Sequence, residues 1–411
     1  MSPALKRVLL IVLLLSVAIL IAVGLYYLFF RATPRGGPFV TERPTTTVGQ
    51  LPAAGERAPL GPEGAGPAGQ GALPIAVPRA LPSRPSYYSP EPITKITSDF
   101  ATFPSLGQNG AVRYHNVNDG KFYVVAPDGS SKALADQVFY NVEKVTWANT
   151  ANKAVLEYPD SSKIIYNFDS KKQVTLPKHW EDFSFSPDSS EVAAKSVGLS
   201  PDNRWLVVTK DDGTGTRLIE PLGNNADRVT VDWSPSRQTV ALSRTGQPQG
   251  ADRQEVLLVG LNGENFKSTV VEGLDFESHW SPTGQKLLYS VDSARSDFKP
   301  ELWVVNAYGD EIGSDRRALK INTWANKCTF GDDTTLFCAV PRELPVGAGM
   351  SPEIANGTPD DLYKIDLHSG LKTPISVGEQ SHTMESLSFD KNKNKLFFTD
   401  HNQSGIFQVN L

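Results

Sequence analysis

At seven places a polar residue stands directly before an aromatic one, and the pairs recur 38 to 59 residues apart. The polar members are Thr102, Thr146, Ser184, Asp232, His279, Thr329 and Ser388. Brought to one ring, these hydroxyls, a carboxylate and an imidazole would bind a polar ligand or an ion. The same groups would also serve as a repeated hydrogen bond tying a turn to its sheet, since a polar group among apolar neighbours needs a partner. Repetition in every unit favours that structural role. Two positions earlier stand Lys144, Asp182, Glu277 and Lys327. Gathered at one end of the repeats, these mixed charges would coordinate a polar ligand; left apart, they are solvated loop-end charges.

Other chemistry is absent from the sequence. The six histidines are scattered, without His-Glu-x-x-His or comparable metal spacing. There is no Gly-x-Ser-x-Gly elbow, Walker loop or dinucleotide fingerprint. No catalytic residue, metal or cofactor is therefore expected. The two cysteines, Cys328 and Cys338, cannot make a Cys-x-x-Cys metal site. They bracket a hairpin turn at Gly331-Asp332-Asp333-Thr334. A cross-strand disulfide and two small buried thiols are both open readings. With 40 basic and 45 acidic residues, interspersed, the net charge is −5. Nucleic acid is not an expected partner, because phosphate neutralisation needs a basic face.

The elements that must position these residues are short strands. Phe185-Ser186-Pro187-Asp188, Trp233-Ser234-Pro235-Ser236 and Trp280-Ser281-Pro282-Thr283 each place a polar turn after an aromatic anchor and before an apolar run. Weaker copies follow Phe103, Trp147, Phe330 and Phe389. The interval approximates the period of a four-stranded propeller blade. Such units cannot bury both faces alone and must stack into a ring. Over residues 87–411 we therefore expect an all-β, seven-bladed β-propeller of four-stranded blades. The last unit supplies only three strands. An orphan strand at residues 92–97 is expected to complete it, because an open ring would leave sheet edges unpaired. The segment 341–361 interrupts one blade, and its Pro and Gly content favours a disordered excursion over a recognition loop.

Residues 8–30 carry no charge and are mostly Leu, Val and Ile. As a helix they would span about 34 Å, enough for a hydrocarbon core of about 30 Å. The stretch is longer than a signal-peptide core and ends in Tyr26, Tyr27, Phe29 and Phe30, an interfacial aromatic cluster. It reads as an uncleaved transmembrane helix, with residues 1–7 cytoplasmic and the propeller outside the cytoplasm. Residues 31–86, rich in Pro and Gly, read as a disordered linker.

The anchor turns resemble the TolB-like propeller repeat, whose hallmark is aromatic-Ser-Pro-Asp-Gly followed by an apolar strand. The resemblance spans roughly residues 90–411 and implies an extracytoplasmic, protein-binding propeller with no catalytic residues. The expected function is a membrane-tethered scaffold in the cell envelope, holding a protein or polymer partner and joined to the membrane by its N-terminal helix. The alternative is a lactonase-like propeller hydrolase with a metal in the central channel.

Overall fold

Strands of two to seven residues, broken by Ser-Pro, Asn-Gly and Asp-Gly turns, give the chain little choice but antiparallel meanders. The computed structural model describes residues 93–107, 110–126, 128–250, 252–378 and 380–411, together with Leu20. The anticipated membrane span and the linker therefore lie outside the described residues, apart from Leu20. Among the described residues no helix is long and apolar enough to cross a membrane.

The described strands form seven four-stranded antiparallel sheets. Six are consecutive in sequence, at residues 101–133, 144–176, 180–221, 229–271, 274–318 and 328–375, here blades 1 to 6. Blade 7 takes three strands from residues 384–410 and its fourth from Thr94–Thr97. That strand pairs antiparallel with Ile406–Asn410, setting Thr94 opposite Gln408 and Lys95 opposite Phe407. The orphan strand thus closes the ring as expected. Gly405 makes the junction possible: its φ is +108°, and a Cβ there would lie 2.2 Å from the Thr97 carbonyl oxygen.

The core lies between blades rather than within them. Leu288 and Leu302 of blade 5 pack with Leu336, Cys338 and Ile365 of blade 6. Phe337 and Leu362 continue to Met384, Leu396 and Phe398 of blade 7. The anchor turns also bridge blades. Ser186 Oγ accepts from the Ser190 and Glu191 N–H groups at 3.1 and 3.0 Å, and Asp188 receives an Arg237 N–H from the next turn at 2.8 Å. Gly284 closes the same turn in blade 5 with φ +71°, where a Cβ would fall 2.4 Å from Ser234 Oγ of blade 4.

Two expectations are corrected. In blade 1 Thr102 pairs with His115, and the register then slips so that Ser105 faces Arg113 and Leu106 faces Val112. Blade 3 slips in the same way before Ser184 and Phe185. Ser105 and Leu106 therefore hold the places of polar residue and anchor, while Phe103 is the bulged residue, with φ +52°. The interruption at 341–361, second, is an ordered loop. Gly347 and Gly349 donate to the Asp297 and Phe298 carbonyls at 2.9 and 2.7 Å. Ala348 and Ala355 bury against Trp324, with Leu344 packed beside them. Its apolar residues are few, yet they are enough because the blade 5 loop supplies backbone partners.

Candidate functional site

The first strands of blades 6, 7, 1, 2, 3 and 4 lie side by side in that order, so the first strands line the ring's centre. Their starts open at one mouth and the aromatic-Ser-Pro turns at the other. Each mouth has a cavity.

The mouth at the strand starts holds a cavity of about 640 Å³. Glu277 of blade 5, Lys327 at the entry to blade 6 and Glu385 of blade 7 line it, and Met350 of the loop forms one wall. Two of the four charges singled out from the sequence thus meet there. Burial raises the Glu277 carboxyl above its ordinary range, with Asn326 donating hydrogen bonds that partly offset this. Lys327 is committed elsewhere: its Nζ donates to both oxygens of the fully buried Asp360, at 2.9 and 2.8 Å. Asp360 also accepts the Met384 N–H at 2.6 Å, so the pair ties blade 6 to blade 7. Burial is the largest influence on Asp360 and raises its pKa, against the pull of Lys327.

The other two charges do not line this cavity. Asp182 accepts the Val231 N–H at 2.8 Å and lies 3.5 Å from Lys195 Nζ, joining blades 3 and 4. Its φ of +57° marks it as a bulge residue. Lys144 is exposed, 4.0 Å from Glu157. Sequence reasoning missed a carboxylate pair, Asp275 and Asp292, beside the mouth. Asp292 is buried, and burial, reinforced by the charge of Asp275, pushes its pKa up to about 6. Gly349 of the loop packs so closely that a Cβ there would meet Asp292 Cβ at 2.4 Å. The loop's glycine was the available signal: only a residue without a side chain could sit so near.

At the opposite mouth a cavity of about 470 Å³ is lined by Thr146, Ser184, Asp232 and His279, with Pro187, Pro235 and Pro282 of the anchor turns. Four of the seven polar residues therefore converge, one from each of blades 2 to 5. Ser184 Oγ accepts the Trp233 N–H at 3.0 Å, a bond between blades rather than from turn to sheet. Trp147 and Trp280 do similar work, their indole N–H groups donating to the Phe103 and Asp232 carbonyls at 2.8 and 3.2 Å. Burial raises Asp232 to about 7, with the Asp182 charge adding to the effect. His279 keeps a solvent-accessible side chain in this cavity, and desolvation by the surrounding blades lowers its pKa. Thr329 is buried, Ser388 pairs with Phe397 and Thr102 Oγ1 donates to the His115 carbonyl at 3.2 Å; none of the three lines this cavity.

Cys328 and Cys338 face each other across the first two strands of blade 6 and are joined by a disulfide. Among the described residues no three His, Cys, Asp or Glu side chains gather in a way that could hold a metal ion. Among the described residues the arrangement gathers polar and charged side chains at both mouths.

No family model and no curated protein sequence matches the chain. Solved structures do. Oligogalacturonate lyase from Vibrio parahaemolyticus is 11% identical, with a TM-score of 0.53 over 77% of this chain and 93% of that one. The Swd1 β-propeller domain from Myceliophteria thermophila is 12% identical, with a TM-score of 0.51 over 78% and 99%. An oligogalacturonate lyase in complex with manganese is 10% identical, with a TM-score of 0.51 over 79% and 94%. At these identities the likeness is one of fold. The chain is a seven-bladed β-propeller of four-stranded blades.

Proposed function

We propose that this protein is a membrane-tethered scaffold of the bacterial cell envelope, akin to TolB-like propellers. Its propeller holds a protein partner at the channel mouth framed by the 341–359 loop. Residues 8–30 anchor it, and residues 31–86 let the propeller range from the membrane. One observation carries the binding role. The loop is pinned by backbone hydrogen bonds, yet it presents Val346, Met350 and Ile354 to solvent at 70%, 53% and 48% exposure. An ordered apolar rim beside a polar cavity matches the anatomy of a partner-binding surface. The envelope location rests on the uncharged 23-residue stretch at 8–30 and on a disulfide suited to an oxidising compartment.

A photo-crosslinking residue at position 350 in the full chain, expressed in its own cells, should trap one discrete partner. Ile354→Glu should abolish the adduct without altering the melting temperature. An unchanged adduct would refute the assignment of the mouth. Protease added to intact spheroplasts should remove the propeller; its protection would reverse the orientation.

A further inference from the structure

Blades 5 and 6 are separated on the outside of the ring by a groove of about 650 Å³, walled by Lys299, Lys320 and Lys372. Lys299 precedes the third strand of blade 5, Lys320 follows its fourth, and Lys372 opens the outer strand of blade 6. None of the three ammonium groups has an ion pair or hydrogen bond among the described residues. Lys320 sits at φ +53°, on the linker between the two blades. Arg342, at the loop's base, also lines the groove, but its Nε is engaged by Asp361 at 2.8 Å. Among the described residues Glu343 is the only acidic one lining the groove. A protein of net charge −5 thus carries one groove with an unbalanced positive wall, and such a concavity concentrates anions.

The lining narrows the kind of anion. Tyr363, half-buried, lines the groove together with Val340 and Leu344, so the groove has an aromatic and aliphatic part beside its lysines. Lysine presents compact point charges that pair with carboxylates and phosphates alike. The outer strand Lys372–Ile375 carries Pro374, paired opposite Tyr363. Proline and lysine blunt an edge against strand addition, which disfavours an extended peptide.

We infer that this groove is a second binding site, taking a segment of an acidic glycan whose carboxylates meet Lys299, Lys320 and Lys372 while a sugar ring packs on Tyr363. The site is independent of the channel-mouth reading, since the mouth cavity shares none of these residues.

Equilibrium binding of the full chain in detergent to a uronic-acid hexasaccharide tests this. The comparison ligands are a neutral glucan hexasaccharide, hexaglutamate and vesicles containing anionic lipid. Binding of the uronate should weaken with salt. Lys320→Glu with Lys372→Glu should reduce the affinity about tenfold or more, each tenfold being 1.4 kcal/mol. Tyr363→Ala should reduce it while leaving the salt dependence intact. Ile354→Glu at the channel mouth should change nothing. An unaltered melting temperature for the double lysine variant would confirm that it folds. The inference is overturned by any of three results: no uronate binding by the wild-type chain, equal or tighter binding of hexaglutamate or vesicles, or indifference to the lysine changes.

Discussion

Deleting residues 1–98 removes the strand that closes blade 7, whereas deleting residues 1–86 leaves it in place. The difference between the two truncations measures the closure. Three residue pairs join Thr94–Thr97 to Ile406–Asn410, and at about 1 kcal/mol net per backbone hydrogen bond they contribute about 3 kcal/mol. Ile93 and Ile96 are half-buried against the blade 7 and blade 1 clusters. At roughly half the value of a fully buried side chain they add about 2 kcal/mol. The shorter protein should therefore lose about 5 kcal/mol. With an unfolding entropy of about 2.1 cal/mol/K per residue over the propeller, that is a fall of about 7 °C in melting temperature. Differential scanning calorimetry gives the shift, and sedimentation velocity reports association through the opened edge of Ile406–Asn410. If both truncations melt within about a degree of each other and stay monomeric, the strand does not secure the ring and the reasoning fails.

Asp232 titrates at about 7 in the folded protein, against about 3.9 when unfolded. Its raised value means that the folded state holds a proton the unfolded chain has lost. Its contribution to stability is full below pH 4 and disappears as pH rises through 7; Asp232→Asn should therefore melt higher than wild type at pH 8 but alike at pH 4, and equal melting at both would refute the burial of the carboxyl. Gly284→Ala combines a left-handed φ of +71° with backbone contact at 2.6 Å to Ser236 N; it should cost about 2–3 kcal/mol in denaturant melts, against about 1 kcal/mol for Gly309→Ala, whose added Cβ meets nothing within 4 Å. The disulfide spans a sequence separation of 10, so reducing it should destabilise by less than the ~3 kcal/mol of a 15-residue loop; alkylation of two thiols in freshly isolated, unreduced protein would show that it does not form in the cell.

The sheet count, the turn positions and ring closure were legible in the chain because they rest on local chemistry. Each Ser-Pro turn is stabilised by its own serine, as Ser186 and Ser281 show by capping the N–H groups four or five residues on. The missing fourth strand of the last blade needed only counting. Glu277 and Lys327 share an offset in adjacent repeats, but Lys144 and Asp182 share it too and do not line the cavity, so the offset alone did not decide which charges meet. Where no serine caps the turn, the reading slipped: Phe103-Pro104 looked like an anchor, but a bulge moved that role to Leu106. A bulge leaves no mark in composition, because it is set by how a strand pairs. The loop at 341–361 was misjudged for a related reason. Its Pro and Gly suggest disorder, and the carbonyls of Asp297 and Phe298 that hold it lie more than 40 residues away. The cavities belong wholly to tertiary structure. Thr146, Ser184, Asp232 and His279 come from four blades, and Lys299 and Lys372 meet across two. Side chains separated by a whole repeat become neighbours only when the ring closes, and it is there that desolvation by surrounding blades, rather than any local motif, raises Asp232 and lowers His279.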